Sequence, residues 1–397
     1  MWTFVALLLL LLLHLSLALL SNGDELLFVQ ALWRHGDRAP ANTYPKDLYQ
    51  ESAWPQGWGQ LSAAGMEQCF NLGAQLRAMY SPHFISSIYN SNEVYVRSTD
   101  YDRALMSAMS VMAGLFPAGT AGVHYPSASA VPNWPYHWSP IPIHALDFAG
   151  NHILNPFANC PRAAQLLANI QRSALYRKIA LEKQPLFNFL TVNTGMRVSL
   201  GSGIHTLQDA LLIEKTNKMK NPDWLNETVS NEISNLTLIF HNFNFGLLPE
   251  VMPEMIKFRG GSLLKTIISD MQVKLLCLQN NPNASSACRA HARRKFYGYS
   301  AHDTTLTALL TTFDLYHLLE KGLPGYAACI LVELWKTKNG PQVKILYRSS
   351  FDVPFLPITS LINGCPPNSD YCPFTLFVRR SQKYMPTDID VECRMMH

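Results

Sequence analysis

The chain has 397 residues, a formal net charge of +4 and eight cysteines. This length exceeds what one compact core usually holds and favours an α/β domain with an inserted segment. Because no dense run of lysine or arginine accompanies the small positive charge, the composition argues against a nucleic-acid-binding protein.

The first 18 residues have the pattern of an export signal. A long leucine run ends in small residues at Ser16 and Ala18, which offer a cleavage site, and a polar segment follows. A retained anchor is the alternative, since the amino end lacks a basic residue. No later stretch reaches the roughly 20 apolar residues that cross a bilayer. We therefore expect no transmembrane anchor and a secreted or soluble lumenal location, extracellular or lysosomal.

The first predicted strand, residues 26–32, runs into a loop that carries Arg34, His35 and Arg38. Two guanidinium groups can each grip a tetrahedral oxyanion with paired hydrogen bonds, and an imidazole held between them faces the phosphorus. A solvated surface turn is the alternative for such a short basic cluster.

A second strand-to-helix turn spans residues 94–108. Ser98, Thr99 or Asp100 can cap the helix, which places Arg103 in a first turn that favours anions. For Arg97 an ordinary ion pair with a nearby aspartate is the preferred reading.

The third turn, in residues 295–310, carries His302 and Asp303 ahead of a helix that Thr304 could cap. In an open α/β sheet, ligands bind outside the carboxyl ends of the strands. The three turns are therefore expected to meet at one edge of the sheet.

The middle of the chain, residues 133–252, loses the strand-and-helix alternation. It begins rich in aromatic residues and proline and continues as amphipathic helical stretches. We predict an α/β fold with a doubly wound, mostly parallel sheet and helices on both faces, formed by residues 19–132 and 253–397. Residues 133–252 are predicted to form an inserted, mainly helical cap.

The three turn motifs together resemble the histidine acid phosphatases, most closely their secreted prostatic-type branch. The likeness continues in matching order at residues 159–161, 259–261 and 363–365. It implies that His35 attacks the phosphoryl group and carries it as phosphohistidine, and that Asp303 protonates the leaving alkoxide. It also implies a homodimer and a set of side chains that hold the phosphate oxygens: Arg34, Arg38, Arg103 and His302.

The residues support that chemistry without a cofactor. Phosphoryl transfer requires positioning and neutralisation of charge on oxygen, which three arginines can supply without a metal. The other histidines, including His144, His152 and His205, lack metal-ligand spacing and are read as stray or core residues. Since a carboxyl group with an ordinary pKa near 3.9 must be protonated to act as an acid, turnover should favour acid pH.

The cysteines and glycosylation motifs fit an exported glycoprotein. The resemblance implies disulfides Cys160–Cys393 and Cys365–Cys372, while Cys277 and Cys288 are close enough in sequence to form a local loop. Cys69 is expected to be a free buried thiol, and Cys329 has no obvious partner. Glycan acceptors stand at Asn226, Asn235 and Asn283.

The sequence thus predicts a secreted, metal-independent acid phosphatase that hydrolyses phosphate monoesters. One alternative is a phytase-like phosphohydrolase, although the modest cationic content of the cap speaks mildly against the wide basic pocket it needs. A phosphoglycerate mutase shares only the Arg-His-Gly element. The non-enzymatic alternative is a secreted glycoprotein that acts by binding, with vestigial catalysis, but a pure binder has no need of the full set of reactive residues.

Overall fold

The computed structural model describes residues 23–135, 138–147, 150–279, 285–320 and 322–394. The predicted export signal and the acceptor Asn283 lie outside these ranges. Within them, no helix combines the length and the apolar character that a membrane crossing requires.

The described strands form one mixed sheet. They are β1 (Glu25–Arg34), β2 (Val94–Thr99), β3 (His144–Leu146), β4 (Phe296–Ala301), β5 (Cys329–Thr337), β6 (Gly340–Arg348), β7 (Leu356–Pro357) and β8 (Cys372–Pro373). The order is β3-β2-β4-β1-β5-β6-β7, and β8 pairs with β6. Strands β3, β2, β4 and β1 are mutually parallel, whereas β5 to β8 pair antiparallel. The carboxyl ends of β2, β4 and β1 therefore lie side by side.

The helices of the described residues alternate with these strands only in the outer parts of the chain. They are α1 (Ala63–Tyr80), α2 (Asp102–Leu115), α3 (Pro161–Gln171), α4 (Ala174–Glu182), α5 (Gln184–Thr194), α6 (Ile204–Thr216), α7 (Glu227–Asn244), α8 (Pro253–Ile256), α9 (Ser262–Leu278), α10 (Ser286–Arg293), α11 (Asp303–Thr312), α12 (Phe374–Ser381) and α13 (Ile389–Glu392). A π-helical turn, Lys257–Gly261, joins α8 to α9.

Both faces of the sheet are covered by helices. Because side chains alternate across a strand, Val29 of β1 packs on one face in a cluster with Val111 of α2. Its neighbour Phe28 packs on the other face, with Ile267 of α9 and Leu309 of α11. Burial on both sides explains why β1 is a nearly continuous apolar run. The predicted doubly wound α/β fold is confirmed.

A third apolar cluster lies among α3 to α7. It includes Phe187, Leu207 and Leu236, and Phe258 from the π-helical turn also packs against it. This cluster gives the helices between residues 161 and 244 a core of their own, as a cap requires. The cap boundaries at residues 133 and 252 stay a prediction.

Three disulfides are present, and they match the expected pairs. Cys160–Cys393 links residues 233 positions apart, which ties the start of α3 to the end of the chain, and Cys365–Cys372 and Cys277–Cys288 close short loops. Cys69 and Cys329 are free and buried.

Candidate active site

His35 lies directly after β1, at the edge where the parallel strands end. Its backbone N–H donates to the carbonyl of Ala301 at 3.0 Å, and its own carbonyl accepts from Ala327. The ring atom Nδ1 lies 2.8 Å from the carbonyl oxygen of Gly36, so Nδ1 carries the proton and Nε2 keeps the lone pair. Burial and the nearby arginines hold the pKa of His35 well below its usual range. The lowered pKa favours the neutral, nucleophilic form of the imidazole.

The loop after His35 is clamped by close backbone packing. A Cβ placed on Gly36 would lie 2.2 Å from the carbonyl oxygen of Gly65 at the start of α1, so only glycine permits this approach. The Gly36 N–H also donates to the Ser107 hydroxyl of α2 at 3.1 Å. These contacts fix the backbone from which the His35 ring projects.

Two of the three predicted arginines are held by carboxylates. Arg34 lies 2.9 Å from Asp303 and donates to the carbonyl of Pro324 at 2.8 Å. Arg38 forms a bidentate pair with Asp209, with N···O distances of 3.0 and 2.9 Å. Both pairs fix the orientation of a guanidinium group at the carboxyl edge of the sheet.

The three guanidinium groups nevertheless retain hydrogen-bonding capacity. The Nε atoms of Arg34, Arg38 and Arg103 are all buried without a partner among the described residues. Arg103 stacks over the ring of Tyr101 at 4.5 Å, and burial together with the charge of Arg38 lowers the pKa of Arg103 to about 10. A phosphate oxyanion would stabilise this group, because it neutralises the crowded positive charges and accepts hydrogen bonds from the unsatisfied donors.

His302 and Asp303 occupy the start of α11. His302 Nε2 lies 2.9 Å from the Thr99 hydroxyl of β2, and the rings of His302 and His35 are 5.5 Å apart. Burial, and then Arg103, lower the pKa of His302 to about 3. Burial alone would raise the pKa of Asp303, but Arg34 and Arg38 outweigh it and hold that pKa well below its ordinary value. Asp303 is therefore ionised before substrate arrives.

The predicted helix caps are wrong in detail. Helix α2 is preceded by Tyr101, whose side chain makes no capping hydrogen bond. The Thr99 hydroxyl is engaged by His302 and the Ser98 hydroxyl donates to the carbonyl of Thr99, so neither hydroxyl caps the helix. His302, rather than Thr304, precedes α11. Thr304 instead donates its backbone N–H to the Asp303 carboxylate at 2.7 Å.

Arg97 makes neither the expected ion pair nor a contact with the site. Its guanidinium lies over the ring of Tyr95, 5.4 Å from the centroid. Asp102 instead accepts a hydrogen bond from Gln60. The motif around residues 97–103 therefore contributes one arginine, Arg103, to the group of guanidinium side chains around His35. We call this group, Arg34, Arg38 and Arg103, the cage.

A cavity of about 470 Å³ opens over these residues, between the sheet edge and the cap. It is lined on the sheet side by His35, Arg38, Arg103, His302, Asp303 and Thr304, on the cap side by His205, Asp209, Phe240, His241 and Asn244, and at its rim by Ala41, Tyr101 and Phe157. Of the predicted site residues, only Arg34 is not among the side chains that line the cavity, and it pairs with the lining residue Asp303.

The cap-side residues were missed by the sequence analysis. Asp209 was not considered, and His205, which was read as a stray or core residue rather than a metal ligand, is exposed and lines the cavity. The four-residue spacing of His205 and Asp209 places both on one face of α6, and this was the available signal. The described residues contain no cluster of histidine, cysteine, aspartate or glutamate arranged to hold a metal ion.

Comparison with known proteins places this chain among phosphatases. The family model described as "Histidine phosphatase superfamily (branch 2)" matches residues 25–348. The lysosomal acid phosphatase of Homo sapiens is 33% identical over 377 residues, which cover 94% of this chain and 82% of that protein. The prostatic acid phosphatase of Bos taurus is 34% identical, with coverages of 94% and 88%.

Solved structures share the architecture at lower identity. The phytase of Hafnia alvei in complex with tartrate superposes with a TM-score of 0.62 at 17% identity, covering 94% of this chain and 99% of that one. The phytase of Citrobacter braakii gives a TM-score of 0.59 at 19% identity, with coverages of 94% and 100%. At these identities the likeness shows the fold alone.

Proposed function

This chain belongs to branch 2 of the histidine phosphatase superfamily, and from that membership we propose that it is an acid phosphatase acting on phosphate monoesters through His35. The single observation that carries the proposal is the hydrogen bond from His35 Nδ1 to the Gly36 carbonyl. It leaves Nε2 unprotonated within a cage of guanidinium groups whose Nε atoms have no other partner in the described part of the chain.

In the first step, His35 Nε2 attacks phosphorus. The N–P bond forms as the ester P–O bond breaks, and the alcohol departs. Arg38 and Arg103, which line the cavity, hold the equatorial oxygens, Arg34 adds positive charge beside its partner Asp303, and His302 supplies a further hydrogen-bonding group. Every group in this step comes from the chain's own side chains, so no metal is needed.

The proton for the leaving group must arrive with the substrate. Because Asp303 is ionised in the free enzyme, the proton comes from the monoester itself, whose second pKa is about 6. Substrate binds as the monoanion, its proton passes to Asp303, and Asp303 delivers it to the departing alkoxide. Acid pH therefore favours turnover because it supplies the protonated ester.

In the second step, water attacks the phosphohistidine. Asp303 accepts a proton from the water, the N–P bond breaks, and His35 recovers its lone pair as inorganic phosphate forms. The same carboxylate thus donates a proton in the first step and accepts one in the second.

The compartment and assembly belong to the same proposal. Three disulfides persist in oxidising compartments, and the acceptors Asn226 and Asn235 are exposed. Both features support a secreted or soluble lumenal glycoprotein, extracellular or lysosomal. A homodimer is proposed from the family resemblance.

Replacement of the nucleophile tests the proposal. His35→Ala should abolish turnover of 4-nitrophenyl phosphate at pH 5, and rapid mixing into alkali should trap no phosphoenzyme from ³²P-labelled substrate. The control is His317→Ala, which changes an exposed histidine outside the cavity and should behave as wild type. Undiminished turnover by the His35 variant would remove the proposed nucleophile.

A further inference from the structure

The cage accounts for only one side of the cavity. The opposite side carries two histidines from the cap, His205 of α6 and His241 of α7, together with Phe240 and Asn244. The phosphoryl chemistry uses none of these side chains. They face the space that a leaving group fills when its phosphate lies in the cage.

His241 is the informative residue of this cap-side wall. Its side chain is only 5% exposed, and its Nδ1 atom is buried without a hydrogen-bond partner among the residues the structure describes. Its ring meets the ring of His205 edge to face, with centroids 5.0 Å apart. A buried polar nitrogen without a partner is costly, so a bound group that hydrogen-bonds to it would recover that free energy.

The charge of the wall indicates which group fits. Burial, and then His205, lower the pKa of His241 to about 4, although Asp303 acts in the opposite direction. His241 is therefore neutral over most of the acid range. The only cationic arginine or lysine side chains among the described lining residues are Arg38 and Arg103, which belong to the cage. A neutral His241 imidazole offers a second phosphate on the leaving group no counter-charge of its own, whereas a hydroxyl could both donate to and accept from that imidazole.

Aromatic rings complete the wall around the histidines. Phe157 and Tyr101 are 43% and 38% exposed, and Phe240 is half-buried and stacks on the ring of His205, with centroids 6.1 Å apart. Flat apolar faces beside a few polar groups favour a ring that offers C–H surface on its faces and hydroxyls at its edge. The cavity of about 470 Å³ is large enough for a phosphate and one such ring.

We propose that His205 and His241 form a leaving-group subsite that selects singly phosphorylated, hydroxylated ring alcohols of the sugar or cyclic polyol class over apolar or multiply phosphorylated esters. This inference rests on the proposed function, because it names the substrate class of the same site.

Two matched esters test the subsite at pH 5.5. Glucose 6-phosphate and cyclohexylmethyl phosphate share a six-membered ring and a CH₂–O–P linkage, but only the first carries hydroxyls. We expect His241→Phe, which keeps the shape and removes the nitrogens, to lower the ratio of their kcat/KM values by about tenfold, the equivalent of one lost hydrogen bond. His241→Asn, which restores a polar atom near the Nδ1 position, should recover part of the ratio. His317→Phe is the matched control outside the cavity and should leave the ratio unchanged.

His205→Phe provides the same comparison at an exposed position, which keeps the test valid if the buried variant fails to fold. Wild-type enzyme should also hydrolyse glucose 1,6-bisphosphate more slowly than glucose 6-phosphate. A ratio that neither phenylalanine variant moves, or a preference for the bisphosphate, would overturn the subsite while the phosphatase proposal stands. Failure of the wild-type enzyme to hydrolyse 4-nitrophenyl phosphate as well as these esters would instead overturn the phosphatase proposal, whereas activity on 4-nitrophenyl phosphate alone would overturn only the subsite.

Discussion

Replacement of Asp303 by asparagine separates proton transfer from phosphate binding. Losing the general acid should cost about 10² to 10⁴ in kcat/KM for an alkyl phosphate, or roughly 3–5 kcal/mol of transition-state stabilisation. With 4-nitrophenyl phosphate, whose phenolate leaves without a proton, we expect a loss below about tenfold. The contrast between the two esters, measured by steady-state kinetics at pH 5, is the diagnostic result.

The same substitution should tighten phosphate binding. Asp303 lies 2.9 Å from Arg34, and the two side chains are 21% and 11% exposed. A carboxylate about 4 Å from a phosphate oxygen repels it by at most about 4 kcal/mol at an effective dielectric constant of 20. After solvent screening we expect about 1.4 kcal/mol, or a tenfold lower inhibition constant for inorganic phosphate. Equal losses with both esters, combined with weaker phosphate inhibition, would show that Asp303 supports the cage and is not the acid.

Three further predictions follow from particular contacts. Asp209→Ala removes the bidentate partner of Arg38. We expect kcat/KM to fall about 10- to 100-fold, equivalent to about 1.5–3 kcal/mol, and Asp209→Asn to lose less. Wild-type kcat/KM in both variants would contradict a positioning role for Asp209. Glu214 is buried, and burial together with Asp47 raises its pKa to about 8. Since the unfolded chain releases this proton near pH 4.5 and the folded chain retains it, the unfolding free energy should be highest at acid pH and fall by up to about 5 kcal/mol as pH rises from 4.5 to 8. Denaturant titration of Glu214→Gln should show a flatter pH dependence, and an unchanged slope would count against this carboxyl pair. Finally, activity toward 4-nitrophenyl phosphate should survive dialysis against EDTA, and a loss that added Mg²⁺ or Zn²⁺ restores would contradict catalysis by side chains alone.

The sequence by itself determined the class of fold, and it predicted the set of reactive residues. Local patterns were sufficient because each motif lies at the junction of a strand and a helix, where the change from an apolar run to a polar turn is visible. The apolar run before His35 predicted a strand, and β1 is that strand; the structure shows it buried on both faces. Parallel pairing of β1, β2 and β4 then brings residues 34, 99 and 301 to one edge without further information.

Only the tertiary structure decided what faces the phosphate cage. Asp209, His205 and His241 lie on amphipathic cap helices, where a polar residue toward solvent and one toward a cavity have the same spacing in sequence. Their roles depend on how α6 and α7 pack over the sheet edge, which is a long-range property of the folded chain. The predicted N-cap of α2 was wrong for the same reason, because the Thr99 hydroxyl is engaged by His302 from a distant segment. Rules for helix capping consider hydrogen bonds among residues that are close in sequence, whereas the Thr99 hydroxyl is engaged by His302, which lies 203 residues away.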